Sequence, residues 1–155
     1  MGETLKKWLK SNREMLPREE LMLNLRVASA LMGYRMEHMF ENFGITSAQY
    51  NVLRILKGVY PGGHPRCEII TRMVERSPDT TRLIDRLEKQ KLVERVRTDE
   101  DRRMSITKIT AKGLNLVAEV QPLLENEIRQ VTKKLSNDEC KVISRLIEKL
   151  YDEMT

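Results

Sequence analysis

The sequence predicts a mainly α-helical protein with one small β-ribbon, and three observations indicate this fold class. Apolar residues recur at steps of three and four over long stretches of the 155 residues, which is the spacing of one face of a helix. Residues that favour helix starts precede several of these stretches. Between Leu92 and Ile109, short β-branched runs flank a polar loop, which is the pattern of a two-stranded ribbon.

Two helices are predicted in the N-terminal part. The first is short, with Leu5, Trp8 and Leu9 as its apolar positions. Pro17 suits the first turn of a helix because its φ is preset, so a long helix should begin there and end at Gly44. The apolar stripe of this long helix runs through Leu21, Leu25, Ala28, Met32, Met36, Met39 and Phe43.

The next two helices have clear starting signals. Thr46 and Gln49 have the spacing of a capping box, so a helix should begin there and end at Gly58. A loop rich in Gly and Pro follows and extends to Pro65. Arg66–Glu75 is then predicted as a short helix, the first of a helix-turn-helix pair.

The second helix of this pair is predicted to begin at Ser77. Ser77 is a favourable N-cap residue, and Pro78 would occupy the first turn. Leu83 and Leu87, with Ile84 beside them, would form the buried face. Three basic residues, spaced by four and three positions, share the opposite face: Arg82, Arg86 and Lys89.

The ribbon follows this helix. Its strands are predicted over Leu92–Val96 and Met104–Ile109, and the Thr98–Arg103 segment between them is polar enough to be a solvated loop. A helix followed by a ribbon with arginines at its tip is the layout of a winged helix-turn-helix. In that layout the helix suits the DNA major groove, and the ribbon tip can place a guanidinium in a minor groove.

Two more helices are predicted after the ribbon. Thr110 should cap the first, with a kink at Pro122, and Ser136 with Glu139 forms a capping box before the last. Both helices carry an apolar stripe that a small domain cannot cover alone, so each stripe is expected to meet its copy in a second chain. The residues predicted at this homodimer interface are Leu124, Ile128, Ile143, Ile147 and Leu150.

The predicted wing carries a specific pair of motifs. Asp101-Arg102-Arg103 is followed, after five residues, by Ile109-Thr110-Ala111-Lys112-Gly113. This pair resembles the wing signature of the MarR family, the multiple-antibiotic-resistance regulators. Thr81–Lys89 is similar to the family's recognition helix, and Ile45–Leu53 is similar to its second helix. The resemblance spans roughly Leu21–Leu150, with Lys91 standing where the family usually has Gly.

The resemblance implies a single domain over residues 1–155, with 45–113 as the DNA-binding lobe and 1–43 and 114–155 as dimerisation helices. It implies a homodimeric transcriptional regulator that binds double-stranded DNA at a pseudo-palindromic operator. The expected activity is that of a repressor released by a small-molecule effector of unknown identity. The residues expected to contact DNA are Ser77, Thr80, Thr81, Arg82, Arg86, Lys89, Arg102 and Arg103.

Two acidic residues and an effector pocket complete the expected site. Asp101 is expected to brace the wing turn, and Asp85, three residues after Arg82, is expected to orient that arginine. The methionines of the long helix fit either an ordinary core or an adaptable wall of the pocket, and both interpretations stay open. The candidate pocket residues are Met32, Tyr34, Arg35, Met36, His38 and Tyr50.

Overall charge supports DNA binding only weakly. The net charge is +5, but Ser77–Arg103 contains eight Arg or Lys residues and seven Asp or Glu residues. A positive surface in this segment must therefore come from how folding arranges the charges. A winged helix that binds another protein, without specific DNA binding, is the main alternative, and an effector-binding protein that has lost DNA binding is a further one.

Other classes of function have little support. The sequence has no catalytic motif, phosphate-binding loop or zinc-spaced cysteine pair, so neither an enzyme nor a cofactor is expected. His38, near Glu37 and Glu41, is a weak metal candidate, and Cys67 at a helix start is a candidate redox residue. Two separated cysteines and the lack of a bilayer-spanning stretch predict a cytoplasmic protein without membrane contact.

Overall fold

The computed structural model describes residues 1–75, 79–97 and 105–152, which are mainly helical with one small antiparallel sheet. This architecture confirms the predicted fold class. In chain order the elements are α1 (Glu3–Leu9), α2 (Pro17–Glu41), α3 (Ser47–Lys57), β1 (His64–Pro65), α4 (Arg66–Arg72), α5 (Thr80–Lys89), β2 (Val93–Arg97), β3 (Ser105–Ile109), α6 (Ala111–Thr132) and α7 (Asn137–Tyr151).

The chain divides into two compact units, Met1–Gly44 and Ile45–Thr155. The first unit holds α1 and α2, and α2 begins at Pro17 as predicted. The N–H of Gly2 donates to Glu20 Oε1 at 2.6 Å, which ties the start of α1 to the first turns of α2. This hydrogen bond holds the pKa of Glu20 below its ordinary value.

α3 supplies much of the core of the second unit. Its capping box forms as predicted: Thr46 Oγ1 accepts from the N–H of Gln49 at 3.2 Å, and Gln49 Oε1 accepts from the N–H of Thr46 at 2.9 Å. Gly58 is the C-cap, also as predicted. α3 packs against α4, α5, β3 and α6. The fully buried apolar side chains of this unit include Val52, Leu53, Leu56, Ile69, Ile84, Leu87, Val93, Val117 and Val120.

The sheet has three antiparallel strands in the order β1–β3–β2. β2 and β3 form the predicted ribbon, with Val93 opposite Ile109. β1 corrects the prediction of a loop up to Pro65, because His64 and Pro65 pair with β3. A strand of two residues is too short for an alternating pattern to reveal it.

Three helix boundaries differ from the prediction. α2 ends at Glu41 and α4 ends at Arg72, each three residues before the predicted position. α5 begins at Thr80 with Asp79 in the N-cap position, so the prediction of Ser77 as N-cap is wrong. Ser77 itself lies outside the described residues. Helix ends depend on the contacts of the folded chain as well as on local capping signals.

The buried face of α5 also differs from the prediction. Ile84 and Leu87 are buried, but Leu83 is only half-buried, and Thr80 is the third buried residue. The Thr80 hydroxyl donates a hydrogen bond to Met73 Sδ at 3.7 Å, so its polar group has a partner inside the lobe.

α6 and α7 begin at the predicted caps. Thr110 Oγ1 accepts from the N–H of Gly113 at 3.1 Å, and Ser136 Oγ accepts from the N–H of Glu139 at 3.3 Å. α6 continues as one helix through Pro122. In the part of the chain that the structure describes, no helix combines the length and the apolar character needed to cross a membrane.

Candidate nucleic-acid interface

α5 presents a basic face to solvent. Arg82, Arg86 and Lys89 are all exposed, and their spacing puts them on the side of the helix away from the buried Ile84 and Leu87. An arginine on such a face can read guanine in the major groove, and a lysine can contact a phosphate. The three basic residues predicted on one face of this helix are therefore exposed together on that face.

Thr80 does not belong to this basic face. Its side chain is fully buried, so the prediction that it contacts DNA is corrected: the side chain packs inside the lobe because the turn of α5 points it toward the core. The neighbouring Thr81 is exposed, and its Oγ1 accepts a hydrogen bond from Arg66 Nη1 at 3.1 Å. Arg66 is the first residue of α4, so this bond joins the two helices of the helix-turn-helix.

A second arginine lies on the flank of α5 that faces the sheet. Arg95, on β2, binds the carboxylate of Asp85, and its Nη1 lies 3.5 Å from Glu88 Oε2. The prediction that Asp85 orients Arg82 is therefore wrong, since Asp85 is engaged by another arginine. Arg82 instead has its Nε 3.8 Å from Asp79 Oδ1, one turn earlier in the chain.

These ion pairs explain the charge of the α5 surface. α5 contains three basic and two acidic residues, and Arg95 pairs with both acidic ones. Because the Arg95 cation offsets one of these two negative charges, the three basic residues of α5 outweigh its acidic ones. Sequence patterns do not reveal Arg66 and Arg95, since their partners lie on other elements and no local motif marks them.

The wing tip lies outside the described residues. The ribbon is described as far as Arg97, whose Cα partner on β3 is Ser105. Residues 98–104 connect these two paired positions. The DNA contacts expected of the tip, and the brace expected from Asp101, stay predictions. The expected site residues outside the described ranges are Ser77, Asp101, Arg102 and Arg103.

Comparisons with known proteins identify one family. A family model described as MarR family matches residues 45–105. A solved MarR transcription factor from Planctomyces limnophilus is 33% identical, with a TM-score of 0.69, and the match covers 88% of this chain and 98% of that one. The chain belongs to the MarR family. Membership in this family of transcriptional regulators confirms the resemblance found in the sequence and the prediction that the protein is not an enzyme.

Similarity to MarR-family proteins extends over most of the chain. The transcriptional repressor MprA of Escherichia coli strain K12 is 26% identical over 155 residues, which cover 98% of this chain and 88% of MprA. BpsR of Bordetella bronchiseptica, whose DNA binding is regulated by 6-hydroxynicotinic acid, has the same fold. Its TM-score is 0.73 at 23% identity, over 84% of this chain and 98% of BpsR.

The second half of the MarR wing signature holds the base of the ribbon together. Thr110 Oγ1 donates to the carbonyl of Lys91 at 2.8 Å, which links the start of α6 to the turn before β2. A Cβ on Gly113 would lie 2.3 Å from the carbonyl oxygen of Leu92, so only glycine permits this close approach. Lys91, at the usual Gly position of MarR proteins, adopts a φ of +61°, a conformation that favours glycine.

The predicted effector residues lie on α2 and α3. On α2, Tyr34 and His38 are exposed with ring centroids 6.5 Å apart. Tyr50 on α3 is buried, and burial raises the pKa of its hydroxyl. The role of these residues in one effector pocket stays a prediction. The other three candidates are Met32 and Arg35, which are exposed, and Met36, which is half-buried.

The residues predicted at the dimer interface are accessible in the single chain. Ile143, Ile147 and Leu150 on α7 are 40%, 36% and 41% exposed, and α7 contains no buried residue. On α6, Ile128 is 49% exposed and Leu124 is half-buried. An amphipathic helix with an uncovered apolar stripe is typical of an element that packs against another chain.

The metal and redox candidates lie on α2 and at the start of α4. Within residues 1–75, 79–97 and 105–152, no group of three or more His, Cys, Asp or Glu side chains could hold a metal ion. His38, the metal candidate, lies beside Tyr34. Cys67 is exposed at the start of α4, and its redox role stays a prediction.

Proposed function

We propose that this MarR-family protein is a homodimeric, DNA-binding transcriptional regulator of the cytoplasm. It acts as a repressor that a small-molecule effector releases from a pseudo-palindromic operator. The observation that carries the proposal is the exposed basic face of α5, whose neighbouring carboxylates are paired with Arg95. This pairing engages two of the seven acidic residues that make the segment near-neutral in sequence, and so weakens the support for a protein-interaction module.

In the proposed complex α5 enters the major groove. Arg82 reads a base, since its side chain is 76% exposed and a guanidinium can donate two hydrogen bonds to guanine. Arg86 and Lys89 contact phosphates on either side. Arg103 reaches from the wing into the adjacent minor groove, where a narrow groove enhances the negative potential.

Homodimerisation is supported by the apolar stripes of α6 and α7. Covering such a stripe with its copy removes apolar surface from water, which is favourable by about 25 cal/mol per Å². Two copies of α5 can enter successive major grooves only when they lie about 34 Å apart, one turn of the duplex. The dimer therefore sets the spacing of the two half-sites.

Release by an effector acts on this spacing. The exposed Tyr34, Arg35 and His38 of α2 offer an aromatic ring, a cation and an imidazole to a small ligand. The regulation of BpsR by 6-hydroxynicotinic acid supports a ligand of small aromatic-acid type. A ligand that binds one spacing of the two lobes more tightly, by a few kcal/mol, shifts the population to that spacing.

A salt titration tests the DNA-binding function. The full chain first selects its operator from a random-sequence duplex library, and affinity for the selected duplex is then measured by fluorescence anisotropy between roughly 50 and 200 mM salt. We expect half-sites about 10 bp apart and a steep loss of affinity with salt, because phosphate contacts release counterions. A chain that selects no duplex, or binds it without salt dependence, would favour the protein-interaction module.

A further inference from the structure

Arg95 connects the ribbon to α5. It lies on β2, the strand that leads into the wing, and its guanidinium contacts the carboxylates of Asp85 and Glu88 on α5. The Arg95 side chain is 35% exposed, so it is partly withdrawn from solvent. We call this set of three residues, Arg95, Asp85 and Glu88, the ribbon clamp.

The ribbon clamp holds α5 at two points. Asp85 and Glu88 are three residues apart and lie on neighbouring positions of the same helix flank. A guanidinium is a rigid planar fork, so binding two carboxylates restricts the direction of the strand as well as its distance from the helix. A lysine at this position would supply the charge without the fork.

The side chains of α5 and the ribbon leave an unfilled space beside the ribbon clamp. A cavity of about 460 Å³ opens next to Arg95, and Thr81 and Ile84 of α5 and Thr107 of β3 also line it. Because side chains do not fill this space, the ion pairs of Arg95 are the contacts between β2 and α5 on this side.

We propose that Arg95 is a positioning residue for DNA recognition that does not itself contact DNA. It keeps the ribbon at a set orientation to α5, so that the helix and the wing meet their grooves together. It also pairs with two carboxylates beside the basic face and offsets one of their two negative charges, which would otherwise repel the phosphates more strongly. This inference rests on the proposed DNA-binding function.

Three variants of the full chain separate the two effects. Arg95→Gln removes the cation and leaves both carboxylates unpaired. Asp85→Asn with Glu88→Gln removes the carboxylates and keeps Arg95. The triple variant removes all three charges. Arg18→Gln, an exposed arginine of the first unit, is the control for the loss of one positive charge.

The readouts are affinity for the selected operator, affinity for a random duplex of equal length, and the melting temperature by circular dichroism. We expect Arg95→Gln to lose both effects, so its affinity should fall about tenfold for the random duplex and about a hundredfold for the operator. Arg18→Gln should change the affinity for each duplex by less than about twofold. The triple variant should recover random-duplex affinity to within about twofold of wild type, with its operator preference still about tenfold reduced. The Asp85→Asn/Glu88→Gln variant should show the same roughly tenfold loss of operator preference. Its affinity for the random duplex should not fall.

Two results would overturn the inference. Unchanged operator affinity in Arg95→Gln would mean that the ribbon clamp is irrelevant to recognition. A triple variant that stays weak on random duplex, with a salt slope lower by about one unit, would make Arg95 a phosphate contact. If Arg95→Gln does not fold, the Asp85→Asn/Glu88→Gln variant decides the question alone through its operator preference. Failure of the wild-type chain to bind any duplex refutes the proposed function instead.

Discussion

Arg82 and Thr80 lie two positions apart on α5, but of the two only Arg82 is exposed to solvent. Arg82 is 76% exposed, whereas Thr80 is fully buried and bonded to Met73. The cause is geometric, since an α-helix turns by about 100° per residue and two steps carry a side chain to the opposite face. At the scale of single residues, position on the helix therefore decides which polar side chains can read a base.

Alanine substitutions at Arg82 and Arg103 should change DNA binding in different ways. Arg82→Ala should cost about 1–3 kcal/mol of binding free energy and relax base preference at one or two positions of each half-site. Arg103→Ala should weaken binding to most sequences and lower the salt slope by about one unit, with base preference retained. Binding of each variant to a panel of single-base operator mutants measures both effects. Normal affinity of Arg103→Ala at physiological salt would mean that the wing does not touch DNA.

Thr80→Val provides the matched control on the same helix. Thr80 is buried, so the substitution can affect stability through the lost hydrogen bond to Met73. It should leave base preference unchanged in the same panel. A change in preference comparable with that of Arg82→Ala would show that the panel reports the folding of α5 and not a base contact.

Gly113→Ala should destabilise the protein. The new Cβ would lie 2.3 Å from the carbonyl oxygen of Leu92, so α6 or the ribbon would have to shift, at a cost of roughly 1–3 kcal/mol. Gly33→Ala is the control, because a Cβ at Gly33 would meet nothing within 4 Å and should stabilise α2 by up to about 1 kcal/mol. Urea unfolding of both variants measures the difference. Equal stability of Gly113→Ala and wild type would remove the packing explanation for this part of the wing signature.

At the scale of secondary-structure elements, the stability of the start of α7 depends on the hydrogen bonds of its own first turn. No residue of α7 is buried in the single chain, so tertiary packing contributes little to its start. The N–H of Ser136 donates to Glu139 Oε2 at 2.8 Å, and this hydrogen bond holds the pKa of Glu139 below its ordinary value of 4.5. The capping box of α7 is therefore sensitive to acid.

We expect the stabilisation from Glu139 to disappear in acid. Its pKa is lower in the folded state than in the unfolded chain, so the contribution is fully present above about pH 4.5 and is lost as the pH falls through the folded pKa. Glu139→Gln retains the hydrogen-bonding shape but does not ionise. The stability difference between wild type and Glu139→Gln, measured by urea unfolding between about pH 3 and 7, should shrink toward low pH. A difference that is the same at every pH would contradict this account.

At the scale of the whole molecule, α7 leaves an apolar stripe uncovered in the single chain. Ile143, Ile147 and Leu150 lie on one stripe of α7 and all remain accessible. A stripe of this kind on a soluble protein is usually covered in an oligomer. A symmetric dimer would cover both copies of the stripe at once and would set the distance between the two α5 helices.

Ile143→Asp should break the dimer. A charge buried in an apolar interface without a partner costs several kcal/mol, whereas the same charge in a free monomer stays in water. Ser144→Asp on the same helix adds the same charge off the apolar stripe, so it should leave the dimer intact. Sedimentation velocity over a range of protein concentrations distinguishes the two species. Stable dimers in the Ile143→Asp variant would mean that the interface lies on other helices.

Local sequence was sufficient for the fold class, the family and most helix starts. The partners of each cap are at most three residues apart, as in Thr46 with Gln49 and Ser136 with Glu139. The two wing motifs are separated by only five residues, and the apolar spacing repeats within single helices. These signals are short-range, so the sequence of each segment contains all the groups that interact.

The contacts that join separate elements were determined only by the tertiary structure. Thr80 became a core residue, His64 and Pro65 became a strand, and Arg95 paired with Asp85 in place of the expected pairing with Arg82. In each case the partner belongs to another helix or strand, and its proximity depends on how the elements pack. The charge of the proposed DNA-binding face follows the same rule, because the cation that pairs with its carboxylates comes from the sheet.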